Sequence, residues 1–183
     1  MRRSSRSAAA SFGQKIVFSA LFVLLIGGGV SQASTYQGDY PMQVGTTVGM
    51  VADIVREVAG KKAVVTNIMG TGVDPHVYSP TRSDVAVLLQ SDIIFYAGLL
   101  LEGQMADILV KVSRRRPVYA VTELLQAGYL IHDEETNHHD PHVWMDVRGW
   151  MKAVEVVADA FAAFDPPAAG IYRRNATAVL EKL

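Results

Sequence analysis

Apolar residues along this chain recur at two different periods, and the two periods alternate. Met42 to Val48 reads as a buried strand, and Gly49 to Ala59 as a helix with Val51, Ile54, Val55 and Val58 on one face. Gly60 ends that helix. Ala63 to Met69 is a second strand, rich in β-branched residues, and it runs into the loop Gly70-Thr71-Gly72-Val73-Asp74-Pro75-His76. Ser83 is placed to cap a helix that continues through Gln90, with Val85, Leu88 and Leu89 pointing inward. Asp92 to Ala97 is a third strand, followed by a helical stretch from about Leu101 to Ser113 and a short fourth strand from Pro117 to Val121. Strands alternating with helices predict a parallel, doubly wound α/β sheet with right-handed crossovers.

The next segment, Leu125 to Asp140, is polar and carries histidines, so it reads as a surface loop. Asp146 then caps an amphipathic helix, in which Val147, Trp150, Met151, Val154, Val157, Ala158, Phe161 and Phe164 fall at helical spacing. Asp165-Pro166-Pro167 breaks the chain and offers a cap and an early-turn proline for a further helix. That helix carries Tyr172, Ala176, Val179 and Leu183 on one stripe, and the sequence stops inside it, which leads us to expect a truncated chain.

The first thirty or so residues stand apart from this pattern. Arg2, Arg3, Arg6 and Lys15 make a basic start, Ile16 to Val30 is an apolar run, and small residues precede a plausible cut after Ala33. This order predicts a secretory signal peptide over residues 1–33. A membrane anchor is the alternative, but a full span needs about 20 apolar residues. Without the leader the chain keeps 13 of its 17 basic residues and all 18 acidic ones, a net charge near −5. No polybasic patch points to nucleic acid or to an anionic membrane. Cysteine is absent, which excludes disulfides, thiolate metal sites and a lipoprotein anchor on cysteine. A free protein in a periplasm is the expectation.

Two tripeptides carry the chemistry, Asp74-Pro75-His76 and Asp140-Pro141-His142. Proline fixes its own φ and pushes the residue before it toward an extended shape, so each histidine is presented from a stiff turn. Ligands bind outside the carboxyl ends of strands in open parallel sheets. The first tripeptide directly follows the second strand, and the second lies beyond the fourth. Two neutral imidazoles converging there suit zinc, and suit manganese or iron if carboxylates complete the shell. Asp74 and Asp140 are better placed to accept backbone N–H groups and brace the turns than to bind metal. Tyr78 and Trp144 are expected to pack beside the cleft, and Glu102 to favour a helix dipole. His132, His138 and His139 stand among Asp133, Glu134, Glu135 and Asp140; they read either as a metal-collecting loop or as a solvated turn.

Gly72-Val73-Asp74-Pro75-His76-Val77-Tyr78 resembles the first ligand motif of the TroA-like solute-binding proteins that serve zinc and manganese ABC importers. Asp140-Pro141-His142-Val143-Trp144-Met145-Asp146 resembles the second, and Tyr96-Ala97-Gly98-Leu99-Leu100-Leu101-Glu102 is similar to the family's strand-to-helix turn. Asp165-Pro166 with Tyr172 and Asn175 resembles the start of the family's long spine helix, so the likeness covers roughly residues 43 to 183. The resemblance implies two α/β lobes joined by one helix, with a metal held between them. It assigns residues 34–165 to a Rossmann-like N-terminal metal-binding lobe and 166–183 to the start of the connecting helix. His76 and His142 align with the two metal ligands of the first lobe. The other two ligands, a glutamate or histidine and an aspartate, belong to a second lobe, which these residues lack and which about a hundred residues or more would supply.

The expected function is therefore capture of a divalent cation, zinc, manganese or iron, and its delivery to a membrane permease of an ABC importer, with no enzymatic step. A zinc hydrolase is the alternative, although the chain has no His-Glu-x-x-His pattern. A surface adhesion protein is a third reading, to which none of these residues gives a mechanism.

Overall fold

The computed structural model describes residues 35–183; the expected signal peptide, residues 1–33, lies outside them. Four strands, β1 (Met42–Thr46), β2 (Ala63–Asn67), β3 (Ile93–Tyr96) and β4 (Val118–Ala120), form one sheet in the order β2-β1-β3-β4. Every pairing is parallel, with Val44 opposite both Val65 and Ile93, and Phe95 opposite Tyr119. This is the α/β class that the alternating periods predict. Strand order reverses between β1 and β3, because the chain steps outward to β2 and then returns to the other side of β1. A crevice opens at such a reversal, at the carboxyl ends of the strands.

Helices cover both faces. α1 (Gly49–Ala59), α4 (Val147–Phe164) and α5 (Ala169–Leu180) pack together, while α2 (Arg82–Gln90) and α3 (Ala106–Ser113) touch each other and the strands β1 and β4 respectively. The core joins Val44, Ile93 and Phe95 of the sheet to Val51, Val55 and Val58 of α1 and to Val154, Val157 and Phe161 of α4. Phe161 stacks against Tyr172 of α5 with ring centroids 4.9 Å apart, so residues 166–183 are anchored in this same core. Asn175 strengthens the docking, since its side-chain amide donates to the Val58 carbonyl at the end of α1 (2.9 Å). Gly60 ends α1 with φ +55°, a left-handed conformation that glycine adopts freely. Among the described residues no helix is long and apolar enough to cross a membrane.

Several local expectations are corrected. Thr81, not Ser83, caps α2: its hydroxyl accepts the Asp84 N–H while the Asp84 carboxylate accepts the Thr81 N–H, a reciprocal box. Leu88 of that helix is buried, but Leu89 is exposed. The stretch from Leu101 begins as turns and a 3₁₀ segment at Gly103–Met105, and regular α-helix starts only at Ala106. The polar segment 125–140 holds a short antiparallel pair, β5 (His132–Asp133) with β6 (His138–His139). Asp146 does cap α4, accepting the Arg148 N–H, yet Val147 in the first turn is exposed, as is Leu183. Asp165 makes no capping bond. Its carboxylate, on a residue only 1% exposed, accepts the hydroxyls of Tyr172 (2.6 Å) and Tyr40 (2.8 Å) instead.

Hydrogen bonds to a charged group contribute about 1.5–3 kcal/mol, and an acceptor left short of partners in the interior destabilises further. Burial and the bond to Asp165 raise the Tyr172 pKa, so this hydroxyl stays protonated and remains a donor. Replacing it through Tyr172→Phe should lower the unfolding free energy by about 1.5–3 kcal/mol. The midpoint of urea unfolding at an unchanged m-value measures this; an unmoved midpoint would show the bond to be energetically idle.

Candidate metal centre

The two Asp-Pro-His turns are built alike. Asp74 Oδ1 accepts the His76 N–H at 2.9 Å, and Asp140 Oδ1 accepts the His142 N–H at 2.8 Å. Each carboxylate thus closes a turn over its own proline, in the bracing role expected from the sequence. The two turns come from opposite edges of the sheet, one after β2 and the other beyond β4. They nevertheless bring His76 Nε2 and His142 Nε2 to 3.4 Å across a separation of 66 positions, with ring centroids 5.4 Å apart. The cleft they share has a volume of about 450 Å³ and is also lined by Leu99, Leu100, Ile131, Asp133 and His139.

Asp140 does more than brace the backbone. The same Oδ1 lies 2.6 Å from His142 Nδ1. A carboxylate can only accept, so Nδ1 carries a proton, and in the tautomer this bond selects the lone pair lies at Nε2, toward His76. Bonds from the His142 backbone N–H and ring N–H hold the Asp140 carboxyl below its ordinary pKa. Trp144 packs edge-on against the His142 ring at 5.1 Å, beside the site, whereas the Tyr78 hydroxyl is turned to Asp84 of α2, donating to it at 2.8 Å.

Spacing decides what such a pair can do. Two nitrogens held about 2.0–2.1 Å from one tetrahedral ion stand about 3.3–3.4 Å apart. The observed 3.4 Å is that separation. The loop histidines do not join the pair: His132 stacks edge-on with His139 at 5.3 Å within the hairpin, and His139 Nδ1 is buried without a hydrogen-bond partner among the described residues.

Glu102 is a correction. It is 3% exposed and makes no helix cap. Its carboxylate accepts the Thr47 hydroxyl (2.6 Å), the Ala97 N–H (2.8 Å) and the Gly98 N–H (3.1 Å). One side chain thereby ties the segment leaving β1 to the segment leaving β3, at the point where strand order reverses. Gly98, Leu99 and Leu100 follow with φ of 95°, 52° and 64°, and Glu123 Oε1 accepts the Leu99 N–H at 3.0 Å. Left-handed backbone is unfavourable by about 1–2 kcal/mol for a residue with a side chain. The two glutamates fix this turn, whose leucines then wall the cleft. Glu102 stood out only as the last residue of the Tyr96–Glu102 turn, and Thr47 and Glu123 carried no sequence signal for these roles.

Comparisons with known proteins bear on the family and the fold. The family described as zinc-uptake complex component A, periplasmic (ZnuA), matches residues 44–183. The manganese-binding lipoprotein MntA of Bacillus subtilis is 35% identical over 172 residues, covering 93% of this chain and 56% of that protein. The zinc-binding protein TroA of Treponema pallidum is 39% identical over 121 residues, or 66% of this chain and 39% of that one. Among solved structures, the periplasmic zinc-binding protein TroA of T. pallidum superposes with a TM-score of 0.73 at 35% identity, covering 76% of this chain and 50% of that chain. The Zn(II)-bound ZnuA-like domain of Streptococcus pneumoniae AdcA gives 0.69 at 27% identity, covering 77% and 51%. The chain spans about half the length of most of these proteins.

Burial raises the Glu102 pKa, against the lowering by its bonds from Thr47, Ala97 and Gly98. A folded-state pKa above the unfolded value means that stability falls as pH rises from the unfolded carboxylate range through the folded pKa. Glu102→Gln, which mimics the neutral acid, should remove that dependence, so the unaltered chain gains stability relative to it on acidification. Thermal melts of both proteins between about pH 4 and 7 check the sign; an unaltered chain that loses ground on acidification contradicts it. Glu102→Leu leaves two N–H groups and a hydroxyl without their acceptor and should destabilise by about 2–4 kcal/mol.

Proposed function

We propose a function from one premise: the chain belongs to the ZnuA family of periplasmic zinc-uptake components. The proposal is an extracytoplasmic binding protein that captures a divalent metal ion and passes it to the membrane permease of an ABC importer, leaving the ion chemically unchanged. His76 and His142 are the proposed ligands. The observation that carries this is the 3.4 Å approach of two Nε2 atoms whose turns are braced in the same way.

Zinc and manganese each appear in the names of relatives. Imidazole suits both ions, and iron as well, so selection among them falls to the remaining ligands. Location is part of the same proposal. Residues 1–33 act as a cleaved leader, and the mature protein is free in the periplasm. Several relatives are named lipoproteins, whereas these 183 residues contain no cysteine to carry a lipid.

His76→Ala and His142→Ala should each weaken zinc or manganese binding at least tenfold, as measured by calorimetry; unchanged affinity in either variant removes that residue from the site. Asp140→Ala frees the His142 ring, and loss of such a bracing partner lowers metal affinity by roughly 10–100-fold. Its far-ultraviolet dichroism should be unaltered, because Asp140 lies on an exposed loop. A full-affinity Asp140→Ala protein would show that the ring needs no brace.

A further inference from the structure

The face of the sheet opposite α1, α4 and α5 carries a feature that the proposed function leaves unused. There α2 and α3 run side by side, with a groove of about 360 Å³ between them. Val85, Leu89, Ile108 and Val112 line it, together with Lys111, Arg114 and Arg115. Leu89 is 37% exposed, and Val110 of α3 is 59% exposed. Arg116 follows in the same turn. Three arginines are too short a run to read as a polybasic patch in the sequence, but the last turn of α3 brings Lys111 beside them.

These four cations have no counterpart within the fold. Among the described residues the close ion pairs include none of them. The helix dipole favours a cation in the last turn of α3, which Lys111 supplies, but gives no reason for three arginines beyond that turn. The acids of the two helices sit at the opposite ends: Asp84 in the first turn of α2, held by Thr81 and Tyr78, and Asp107 in the first turn of α3. Asp92, just before β3, is turned to the Gln43 N–H at 2.8 Å.

We infer that this patch docks the chain onto an anionic lipid surface. Exposed apolar side chains set among unpaired cations suit the boundary of a bilayer, where the cations meet lipid phosphates and the apolar groups enter the acyl region. Arginine is the stronger phosphate partner of the two basic residues, because its planar fork donates two bonds at once. Outside the patch, residues 34–183 hold nine basic residues against 18 acidic ones, so an anionic surface attracts this approach and opposes others.

Position in the fold sets the consequence. Arg114 to Arg116 immediately precede β4, at the amino ends of the strands, whereas both Asp-Pro-His turns lie beyond the carboxyl ends. A chain resting on lipid by this patch keeps its histidine face turned away from the membrane. The meaning of that orientation for metal capture rests on the proposed function; the docking itself does not.

Co-sedimentation with vesicles is the test. The purified chain should pellet with vesicles of equal parts phosphatidylglycerol and phosphatidylcholine, and not with phosphatidylcholine alone, and the binding should weaken as salt is added. Arg114→Gln with Arg115→Gln, and separately Leu89→Ser with Val110→Ser, should each reduce binding at least tenfold. Far-ultraviolet dichroism should stay unchanged, because all four side chains are exposed. Arg173→Gln with Arg174→Gln, an exposed basic pair on α5, should bind as the unaltered chain does. A chelator should change nothing, so the metal reading can fail without touching this one. Pelleting with phosphatidylcholine alone, or undiminished binding after either substitution at the patch, would overturn the inference. Failure to pellet would overturn it too, and retention on immobilised polyglutamate would then assign the patch to an acidic protein partner.

Discussion

A carboxylate two residues before each histidine accepts that histidine's own backbone N–H, and the position of both imidazoles follows from this bond. Proline alone stiffens the peptide ahead of the histidine but leaves the rest of the turn free. The Asp-to-His bond removes that freedom and fixes the direction in which each ring leaves the backbone. At Asp140 the same oxygen also orients the ring and chooses its tautomer. Entropy that would otherwise be lost when an ion arrives is thus lost on folding. This preorganisation allows exposed loops from opposite edges of the sheet to hold two nitrogens at a metal-binding span.

Beneath the loops lies a second arrangement, in which the chemistry is buried. Glu102 bridges the ends of β1 and β3 where the sheet's order reverses, and it does so by accepting donors that would otherwise lack partners. A buried carboxylate is unfavourable unless it is well hydrogen-bonded. Here three donors and a left-handed turn through Leu99 and Leu100 make one unit, since the turn is what lets the carboxylate reach back to Ala97 and Gly98. Removal of either part undermines the other. The wall of the histidine cleft is therefore set by a buried group that lies behind it.

Much of this was legible in the sequence because it depends on local pattern. Alternation of β-branched runs with helical stripes gave the four parallel strands and the five helices, and Gly60 marked its helix end for a conformational reason. The two histidines could be picked out because the same stiffened tripeptide occurs twice. Features that depend on distant contacts were not legible. Leu89 and Val147 have the right spacing but lie where no neighbouring element covers them. Thr81 and Ser83 are both competent caps, and only the carboxylate three residues after Thr81 distinguishes them. Glu102 and Asp165 read as helix-end acids, yet both are buried acceptors whose partners lie up to 55 and 125 positions away. Single-sequence periodicity holds no information about such pairs.

Two ligands on one face also constrain what a carrier can do with its cargo. A cage of four ligands on one rigid body would hold an ion tightly and give it up slowly, because every bond must break while the others persist. Two imidazoles fixed on this unit supply, in the proposed function, the half of the shell that does not move, and the affinity is set by whatever closes the other half. In the proposed function, capture and release are then the making and breaking of one contact between bodies, with the ion's coordination changing by two ligands at a time.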